Sequence, residues 1–505
     1  MERTGTRNMV IVLGYALLLA VNATSIWGGV FPFFPEEFQT DMVTTTFYLA
    51  QALTFCGTFV VALTVSYRQD NAARFPRTSL VLTPWLAGSF CLVLAMYLPN
   101  LTLLLVIAAG LLQGTGAALA LCSWQACFAS KSVDRGGLLM VFGTATATLV
   151  YLLLHLVPEA VTAFLIPLVL IPLCGLCLSL SRRSMDTSQP MFTEPTREHA
   201  RVYQHVARTY WKPALCIGAL GFSSGIVRAL ALYHSNVGDV VNIASMVGAL
   251  LGAVVLIGFW NRHSFSFNIY GIFRLLLPAL LTAFLLLPFL GADYLGVFAA
   301  FAYLLFSFAT MLMGIQCIQI SHNHGVRPTF AFALFAAVVY LLQALGFIFG
   351  HFAETVSIVG LQPLSIVALG SVWLLAMILI AAERNPLRAV PVPQTELAST
   401  IEFIAIHDRR ADKPSAHRGS QAHNDPLAPP IRDRLSKRCL MAKETYGLTV
   451  RETEIAEYIA RGVTVNVIAE KLVISENTVR AHSKHIYTKL GIHKRQELLD
   501  LLETM

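Results

Sequence analysis

A group of basic side chains near the carboxyl end of this 505-residue chain has the residue types and spacing to bind nucleic acid. Arg480 and Lys484 lie one helical turn apart, and no acidic residue occurs from Asn477 to Gln496. On a helix both cations share one face, where they attract phosphates and reach guanine edges in the major groove. The alternative is a basic face that contacts only solvent. The stretch therefore predicts a DNA-binding helix.

Three predicted helices position that basic face. Thr449 and Glu452 form a capping box at the start of the first helix, and Gly462 can supply the left-handed turn that ends it. The second helix covers 465–472. After a three-residue turn the third helix begins at its cap, Ser475, and runs to about residue 490. Two helices joined by so tight a turn are typical of a helix-turn-helix.

The third helix has two predicted faces. Val479, Ile486 and Leu490 form an apolar stripe that would be buried. The opposite side carries Arg480, Ala481, Lys484 and His485.

The region from about Tyr446 to Leu502 resembles the C-terminal DNA-binding domain of the LuxR family of bacterial regulators. The matching pieces are LT from Leu448, RE from Arg451, the glycine at Gly462, IAEKL from Ile468, ISENTVRAH from Ile474 and IYTKLGI from Ile486. The resemblance implies that the third helix enters the major groove, with base contacts from Arg480, Ala481 and Lys484 and with Thr478 near the DNA backbone. Together with His485 and Lys489, these residues are the predicted DNA-binding set.

The same resemblance implies a fourth helix, about Lys494–Glu503, that forms a homodimer contact. Three positions depart from the family pattern: Val450 stands where proline is usual, Ala456 where leucine is common and Val467 where glutamate is usual. These departures affect the expected local packing more than the expected DNA binding.

The composition of the whole chain is that of an integral membrane protein. Hydrophobic residues make up 56% and charged residues only 13%, which is too apolar for a soluble enzyme. No catalytic motif or metal-ligand cluster is recognisable, so we expect no enzymatic activity, cofactor or metal. The cysteines suggest no disulfide framework, and the CxxC of Cys174 and Cys177 is better explained by packing than by redox chemistry.

Twelve apolar segments precede the basic region, each near the ~20 residues that a helix needs to cross a bilayer. They lie at about 9–30, 43–66, 78–98, 101–123, 138–157, 160–180, 213–233, 240–260, 270–290, 294–318, 329–351 and 361–382. The first follows Arg3 and Arg7, as in a signal peptide, but it lacks an obvious cleavage site and we expect it to be retained.

The charges of the loops predict the orientation. If the N-terminus is cytoplasmic, every Lys and Arg of the loops lies on the cytoplasmic side. The charged residues of the outer loops are then all acidic, for example Asp41 and Glu354. This asymmetry follows the positive-inside rule. An even number of spans then places both termini in the cytoplasm, on the DNA side of a bacterial inner membrane.

The long cytoplasmic loop 181–212 divides the spans into two groups of six. This layout resembles the major facilitator superfamily. The motifs of that superfamily are poorly matched, because the second-to-third loop holds only Asp70, Arg74 and Arg77 without the flanking glycines. The resemblance is therefore one of architecture. The predicted fold is all-α: a twelve-helix membrane domain over 1–382, a cytoplasmic linker over 383–440 and a four-helix LuxR-type domain over 441–505.

Arg228 is the basic residue that lies well inside a predicted span. An intramembrane charge is costly, so it either pairs with an acid or binds an anionic ligand in a central cavity. The polar candidates for the same site include His155, Gln113 and Gln316, although each also fits an interhelical hydrogen bond.

Prolines and scattered charges make residues 383–434 a predicted linker, with an apolar interruption over Leu397–Ile406 that would suit a membrane surface and a short helix over Arg434–Thr445. The whole pattern predicts a membrane-embedded transcription regulator that senses a small molecule through its spans. The alternative is a transporter with a regulatory DNA-binding tail.

Overall fold

The computed structural model describes most of the chain. Its described residues are 2–25, 40–68, 76–194, 196, 200–233, 235–262, 265–355, 363–382, 400–403, 434–461, 463, 465–472 and 475–504. The predictions made for Gly462, for the turn residues Val473 and Ile474, and for most of the linker lie outside them. Contacts divide the chain into two compact units, residues 1–318 with 327–408 and residues 319–326 with 409–505.

Helices form nearly all of the first unit, called the membrane domain below. Their continuous runs of apolar residues have no polar face, as expected for helices surrounded by lipid and by each other. The helices of the first half are α1 Glu2–Ser25, α2 Asp41–Arg68, α3 Thr78–Tyr97, α4 Thr102–Ala129, α5 Val133–His155, α6 Glu159–Leu165 and α7 Ile171–Arg183, with a π-helical stretch at Ile166–Leu170. The helices that follow are α8 Pro190–Thr193, α9 Ala200–Tyr233, α10 Ser235–Arg262, α11 Ile269–His324, α12 Pro328–Thr355 and α13 Pro363–Ala382.

Ten helices among the described residues are long and apolar enough to cross a membrane. They correspond to ten of the twelve predicted spans. The other two predicted spans contain shorter apolar stretches, Pro278–Leu290 and Leu364–Met377. The predicted spans 270–290 and 294–318 are joined in the single helix α11. Only three residues, 291–293, separate them, and none is a proline that would interrupt the backbone hydrogen bonds. A count of twelve therefore stays a prediction.

In the membrane domain many apolar side chains are exposed and several polar ones are buried, the reverse of the arrangement in a soluble protein. Large apolar side chains such as Leu53, Leu156 and Phe289 are 71%, 80% and 82% exposed. Gln113 and Arg228, in contrast, are buried. An apolar surface of this kind suits hydrocarbon rather than water, because lipid takes the place that protein core takes in a soluble domain.

Small residues let α2 and α4 approach closely. A Cβ atom added at Gly110 would come within 2.7 Å of the Phe47 carbonyl oxygen, and one at Gly114 within 2.5 Å of the Gln51 carbonyl oxygen. Glycine at these two positions therefore permits the close packing of α2 and α4.

Two short strands join the loop after α10 to a segment of the predicted linker. Strand β1, Phe265–Asn268, pairs antiparallel with β2, Thr400–Phe403, in the register Phe265 to Phe403 and Phe267 to Ile401. Residues 400–403 belong to the apolar interruption predicted to suit a membrane surface, and they form a strand instead of a free linker.

The helices from residue 434 onward form the head domain. They are α14 Arg434–Tyr446, α15 Val450–Ala460, α16 Val465–Leu472, α17 Glu476–Leu490 and α18 Arg495–Thr504. One apolar core holds them, including Ile455, Ile468, Ile486 and Leu498. Cys439 is buried in the same core, so the helix that crosses the predicted 440/441 boundary packs with the head domain.

Candidate DNA-binding surface and membrane cavities

The helix predicted to enter DNA is fixed at both ends. Ser475 caps α17, and its hydroxyl accepts a hydrogen bond from the Thr478 amide at 3.1 Å. Gly491 ends the helix in the left-handed region, at φ 66°, where glycine is favoured. Val479 and Ile486 are fully buried, and Leu490 is nearly so, which confirms the predicted apolar stripe. These contacts decide which face of α17 points outward.

All six residues of the predicted DNA-binding set lie exposed on α17: Thr478, Arg480, Ala481, Lys484, His485 and Lys489. Arg480 is 67% exposed and lies 3.5 Å from the carboxylate of Glu476, one turn earlier. An exposed ion pair of this geometry contributes little stability, so the guanidinium can exchange the carboxylate for a phosphate or a base edge. These side chains face solvent along one side of α17.

Lys489, the sixth residue of the set, has a different environment. Its Nζ atom donates to Glu452 Oε2 at 2.7 Å and to the Gly447 carbonyl oxygen at 3.1 Å. The same Glu452 carboxylate accepts the Thr449 amide at 2.8 Å and completes the predicted capping box, which is confirmed. Lys489 therefore ties the last turn of α17 to the first turn of α15.

The Glu452 carboxylate is held in its ionised form. Burial raises its pKa, but hydrogen bonds from Lys489 and Thr449 and the Lys489 charge outweigh burial and lower the pKa to about 2. The carboxylate thus stays charged at physiological pH and keeps Lys489 in place. Sequence reasoning found the capping box from local spacing, but the pairing of residues 452 and 489 required the folded structure.

Arg451 is a positioning residue that the sequence marked only as part of a motif. Its guanidinium donates to the Leu472 carbonyl oxygen at 2.8 Å and to Glu454 at 2.7 Å. The Leu472 carbonyl is the last of α16, where helix carbonyls lack intrahelical partners. Arg451 therefore ties the start of α15 to the end of α16, immediately before the turn into α17.

The membrane domain contains a cavity of about 90 Å³ between its first and second halves. Its walls come from α1, α4 and α5 on one side and from α10, α11 and α12 on the other. The lining includes Tyr15, Gln125, Ser245, Tyr303, Met311 and Gln343. Gln125 also donates to the Gly314 carbonyl oxygen at 2.8 Å and so joins the two halves at the cavity wall.

A second cavity, of about 40 Å³, lies between α2, α9 and α12 and contains Arg228. The guanidinium carbon of Arg228 lies 3.8 Å from the centre of the Tyr48 ring, a cation–π contact. The two cavities share Tyr340 and Gln343 in their walls. They are therefore neighbours.

The four predicted ligand-binding residues do not come together. Arg228 lines the smaller cavity, whereas His155, Gln113 and Gln316 line neither of the two cavities formed by the described residues. His155 is exposed at the end of α5 and stacks on Tyr151, and Gln113 donates to the Ser89 hydroxyl at 3.4 Å. Gln316 is buried in α11. Spacing along a helix could not tell which glutamines face a cavity, and Gln125, Gln51 and Gln343 are the ones that do.

Cys174 and Cys177 are free and buried in α7. The Cys174 thiol donates to the Gly14 carbonyl oxygen at 3.3 Å, a packing contact between α7 and α1. No group of three or more possible metal ligands occurs in the part of the chain that the structure describes.

Comparison with known proteins identifies the head domain. Residues 447–502 match the family described as "Bacterial regulatory proteins, luxR family". Over 53 residues the chain is 45% identical to the Fimbriae Z protein of Escherichia coli K12 and 49% identical to the oxygen regulatory protein NreC of Staphylococcus aureus JH9. Each match covers 10% of this chain, and the chain spans about a quarter of the length of these relatives.

The membrane domain is similar to a bacterial homologue of the iron transporter ferroportin, at 14% identity and a TM-score of 0.49, over 75% of this chain and 99% of the other. The apolar helices indicate a multi-pass membrane protein, and its head domain matches the luxR family of bacterial regulatory proteins.

Proposed function

We propose that this protein is a membrane-embedded transcription regulator whose membrane domain binds a small molecule and whose head domain controls transcription in response. One observation carries the proposal: a single chain joins a domain of apolar, membrane-length helices that contains two cavities to a luxR-type domain with an exposed basic face. Small-molecule sites often lie between the helices of a bundle, where both cavities are found. The chain acts as a binder and a regulator, not as an enzyme.

The proposed topology has twelve spans in two groups of six, with both termini in the cytoplasm of a bacterial inner membrane. The support for it is the charge asymmetry of the loops and the need for the head domain to reach DNA. The shorter apolar stretches Pro278–Leu290 and Leu364–Met377 would be the two remaining spans. Fusions of a cytoplasm-active and a periplasm-active reporter enzyme after each span test this arrangement, and an odd number of crossings before residue 434 would contradict it.

The proposed head domain acts as a homodimer through α18. Leu498 and Leu502 are buried in the core of their own head domain, so the contact between copies would use the opposite side of the helix, which includes the exposed Asp500. A homodimer places two copies of α17 on the two halves of a palindromic site.

The proposed signal is a shift between two states of the membrane domain. Because the larger cavity is lined by both halves, a ligand that fits one arrangement of the halves better than another shifts the population toward it. The ligand can act only through this difference in affinity, and no phosphorylation step is required.

The test measures the output of a transcription reporter under the target promoter in three strains. One strain carries the full chain, one a variant lacking residues 434–505, and one the variant Lys484→Ala. We expect a library of small molecules to contain inducers that change reporter output only with the full chain. Output that responds equally in all three strains would contradict the proposal.

The alternative function is a transporter whose head domain regulates its own expression. The cavity between the two halves favours it, because transporters also bind substrate between halves. Uptake of the inducer into proteoliposomes separates the two functions. Sustained uptake that survives removal of residues 434–505 would establish transport as the main activity of the membrane domain.

A further inference from the structure

We propose that the β1–β2 ribbon, formed by residues 265–268 and 400–403, transmits changes at the larger cavity to the head domain. Pairing of the two strands fixes part of the predicted linker to the membrane domain, and separation of the strands releases it. This role rests on the proposed sensing function and names the element that carries the signal. Both strands belong to the same compact unit as the membrane helices.

The ribbon shortens the tether, the segment that joins the membrane domain to the head domain. When the strands are paired, the tether begins after Phe403 and ends at Arg434, where α14 starts. When they are separated, it begins after Ala382, at the end of α13. Because an extended chain spans at most about 3.5 Å per residue, the maximum tether length is roughly 100 Å in the first case and roughly 180 Å in the second. Pairing therefore restricts the DNA sites that the head domain can reach.

The ribbon has a defined register but little stability of its own. Phe267 pairs with Ile401, and the Ile401 side chain is fully buried, so burial of an apolar group stabilises this register. A ribbon of two strands of 4 residues each is nevertheless only marginally stable. A small difference in free energy between two arrangements of the membrane domain is therefore sufficient to change the fraction of paired strands.

Helix α10 connects the larger cavity to the ribbon. Ser245, Met246 and Ala249 of α10 line this cavity, and α10 ends at Arg262, shortly before β1 begins at Phe265. From the cavity wall to its end the helix rises by about 20 Å and contains no proline. A continuous helix moves as one body over such a length, so a displacement at the cavity wall reaches β1.

A ligand in the larger cavity has to displace α10 or another wall. Small-molecule sites usually measure about 300–1,000 Å³, whereas this cavity measures about 90 Å³. The contact between α10 and α11 is close: the hydroxyl groups of Ser245 and Ser307 lie 3.0 Å apart at the cavity wall. A Cβ atom added at Gly248 would come within 2.7 Å of the Leu304 Cα atom. A group that enters here therefore moves α10 relative to α11.

The first experiment measures strand pairing in the full chain in nanodiscs. Ser266→Cys/Glu402→Cys places a thiol on each strand at paired positions, and mass spectrometry detects the peptides that a disulfide joins. Gly248→Leu, added to this variant, pushes α10 away from α11 and takes the place of a ligand. We expect it to change the rate of cross-linking by at least about threefold, because displacement of α10 alters the fraction of paired strands.

A matched control separates the cavity wall from the rest of α10. A Cβ atom added at Gly258 meets no atom of the described residues within 4 Å, so Gly258→Leu should cross-link at the parent rate although it lies nearer the ribbon. Gly248→Ala is a smaller wedge, for use where Gly248→Leu fails to fold, and should change the rate in the same direction. An unchanged rate in both Gly248 variants, or an equal change in Gly258→Leu, would overturn the proposal.

The second experiment opens the ribbon in the reporter strain. Ile401→Pro and Phe267→Pro act on opposite strands, and proline is poorly tolerated in a paired strand. Because both variants release the same tether, we expect both to shift reporter output in the same direction by about twofold or more. Thr395→Pro, in the predicted linker before β2, is the control and should leave output unchanged. Wild-type output in both ribbon variants would overturn the proposal.

The two experiments also separate the ribbon from the sensing function. If the reporter library contains an inducer that acts equally on the wild type and on Ile401→Pro, sensing stands and the role of the ribbon is overturned. If the library contains no inducer, the sensing function fails, whereas a cross-linking rate altered by Gly248→Leu still supports coupling between the cavity wall and the ribbon.

Discussion

Cations occupy opposite environments in the two domains. In the membrane domain Arg228 is buried among aromatic rings, while apolar side chains such as Phe289 cover the outside. In the head domain Arg480 and Lys484 are exposed, while aliphatic side chains fill the core. The difference teaches that burial alone does not identify a functional residue. The buried guanidinium is shielded from solvent by aromatic side chains, whereas the exposed cations of the head domain face solvent and are open to phosphates.

The head domain adds a third kind of cation. Lys489 lies on the same helix as Arg480 and Lys484, but its ammonium group is committed to Glu452. It is part of the scaffold that aims the recognition face.

The largest expected effect on stability compares a buried side chain of the head domain with an exposed side chain of the membrane domain. Ile486→Ala removes a fully buried side chain from the core of the head domain, and we expect a loss of about 2–5 kcal/mol in its free energy of unfolding. Phe289→Ala removes an 82% exposed ring from the membrane domain, and in lipid we expect less than about 1 kcal/mol. Urea denaturation of a 434–505 fragment and thermal denaturation of the full chain in nanodiscs measure the two. A large effect of Phe289→Ala would show that its ring packs against protein.

The next effect concerns the buried carboxylate. The pKa of Glu452 is lower in the folded head domain, at about 2, than in the unfolded chain. Its ionisation therefore stabilises the fold above about pH 4.5, and that contribution is lost as the pH falls toward 2. Because Lys489 is 36% exposed and partly screened, we expect Glu452→Gln to cost about 1–3 kcal/mol at pH 7.

Denaturation of the 434–505 fragment as a function of pH checks this expectation. The stability curves of the wild type and Glu452→Gln should converge between pH 4.5 and 2. Glu476→Gln is the matched control, since its carboxylate is 44% exposed, and should change stability by no more than about 0.5 kcal/mol. A pH-independent difference between wild type and Glu452→Gln would show that the variant acts through packing.

A smaller effect distinguishes DNA-contacting cations from the scaffold cation. Arg480→Ala and Lys484→Ala should each weaken specific DNA binding by about 1–3 kcal/mol if they contact bases. Lys443→Ala, on α14, serves as the control. Lys489→Met should lower the stability of the head domain while leaving the salt dependence of DNA binding nearly unchanged. If Lys489→Met instead lowered the slope of log K for DNA binding against log salt concentration by about one, Lys489 would be shown to contact DNA.

The smallest energetic effect tests the ribbon that joins the predicted linker to the membrane domain. An isolated two-stranded ribbon is only marginally stable, so a change in stability would be too small to measure. Disulfide cross-linking between paired positions tests its register instead. Ser266 and Glu402 are paired across the strands, and the variant Ser266→Cys/Glu402→Cys should form a disulfide on mild oxidation. Ser266→Cys/Ile401→Cys, shifted by one residue to the opposite face, is the control. Equal cross-linking in both variants would reject the register.

Much of the head domain could be predicted from the sequence because its determinants are local. The capping box of Thr449 and Glu452, the cap at Ser475 and the apolar stripe through Val479 and Ile486 depend on spacings of three to seven residues, which a helix converts directly into contacts and faces. The charge of the basic face likewise depends on residue identity alone. Composition was sufficient to show that the rest of the chain spans a membrane, since bilayer thickness sets the length of an apolar helix.

Only the tertiary structure decided which polar residues of the membrane domain share a cavity. A helix surrounded by lipid and by other helices is apolar on every side, so its sequence has no periodicity that marks an inner face, and Gln51 and Gln113 look alike along the chain. The packing of α2 against α9 and α12 brings Gln51 to Arg228, and the packing of α3 against α4 brings Gln113 to Ser89. The pairing of Lys489 with Glu452 and of β1 with β2 has the same origin, because contacts between distant residues depend on how the helices are arranged and not on local spacing.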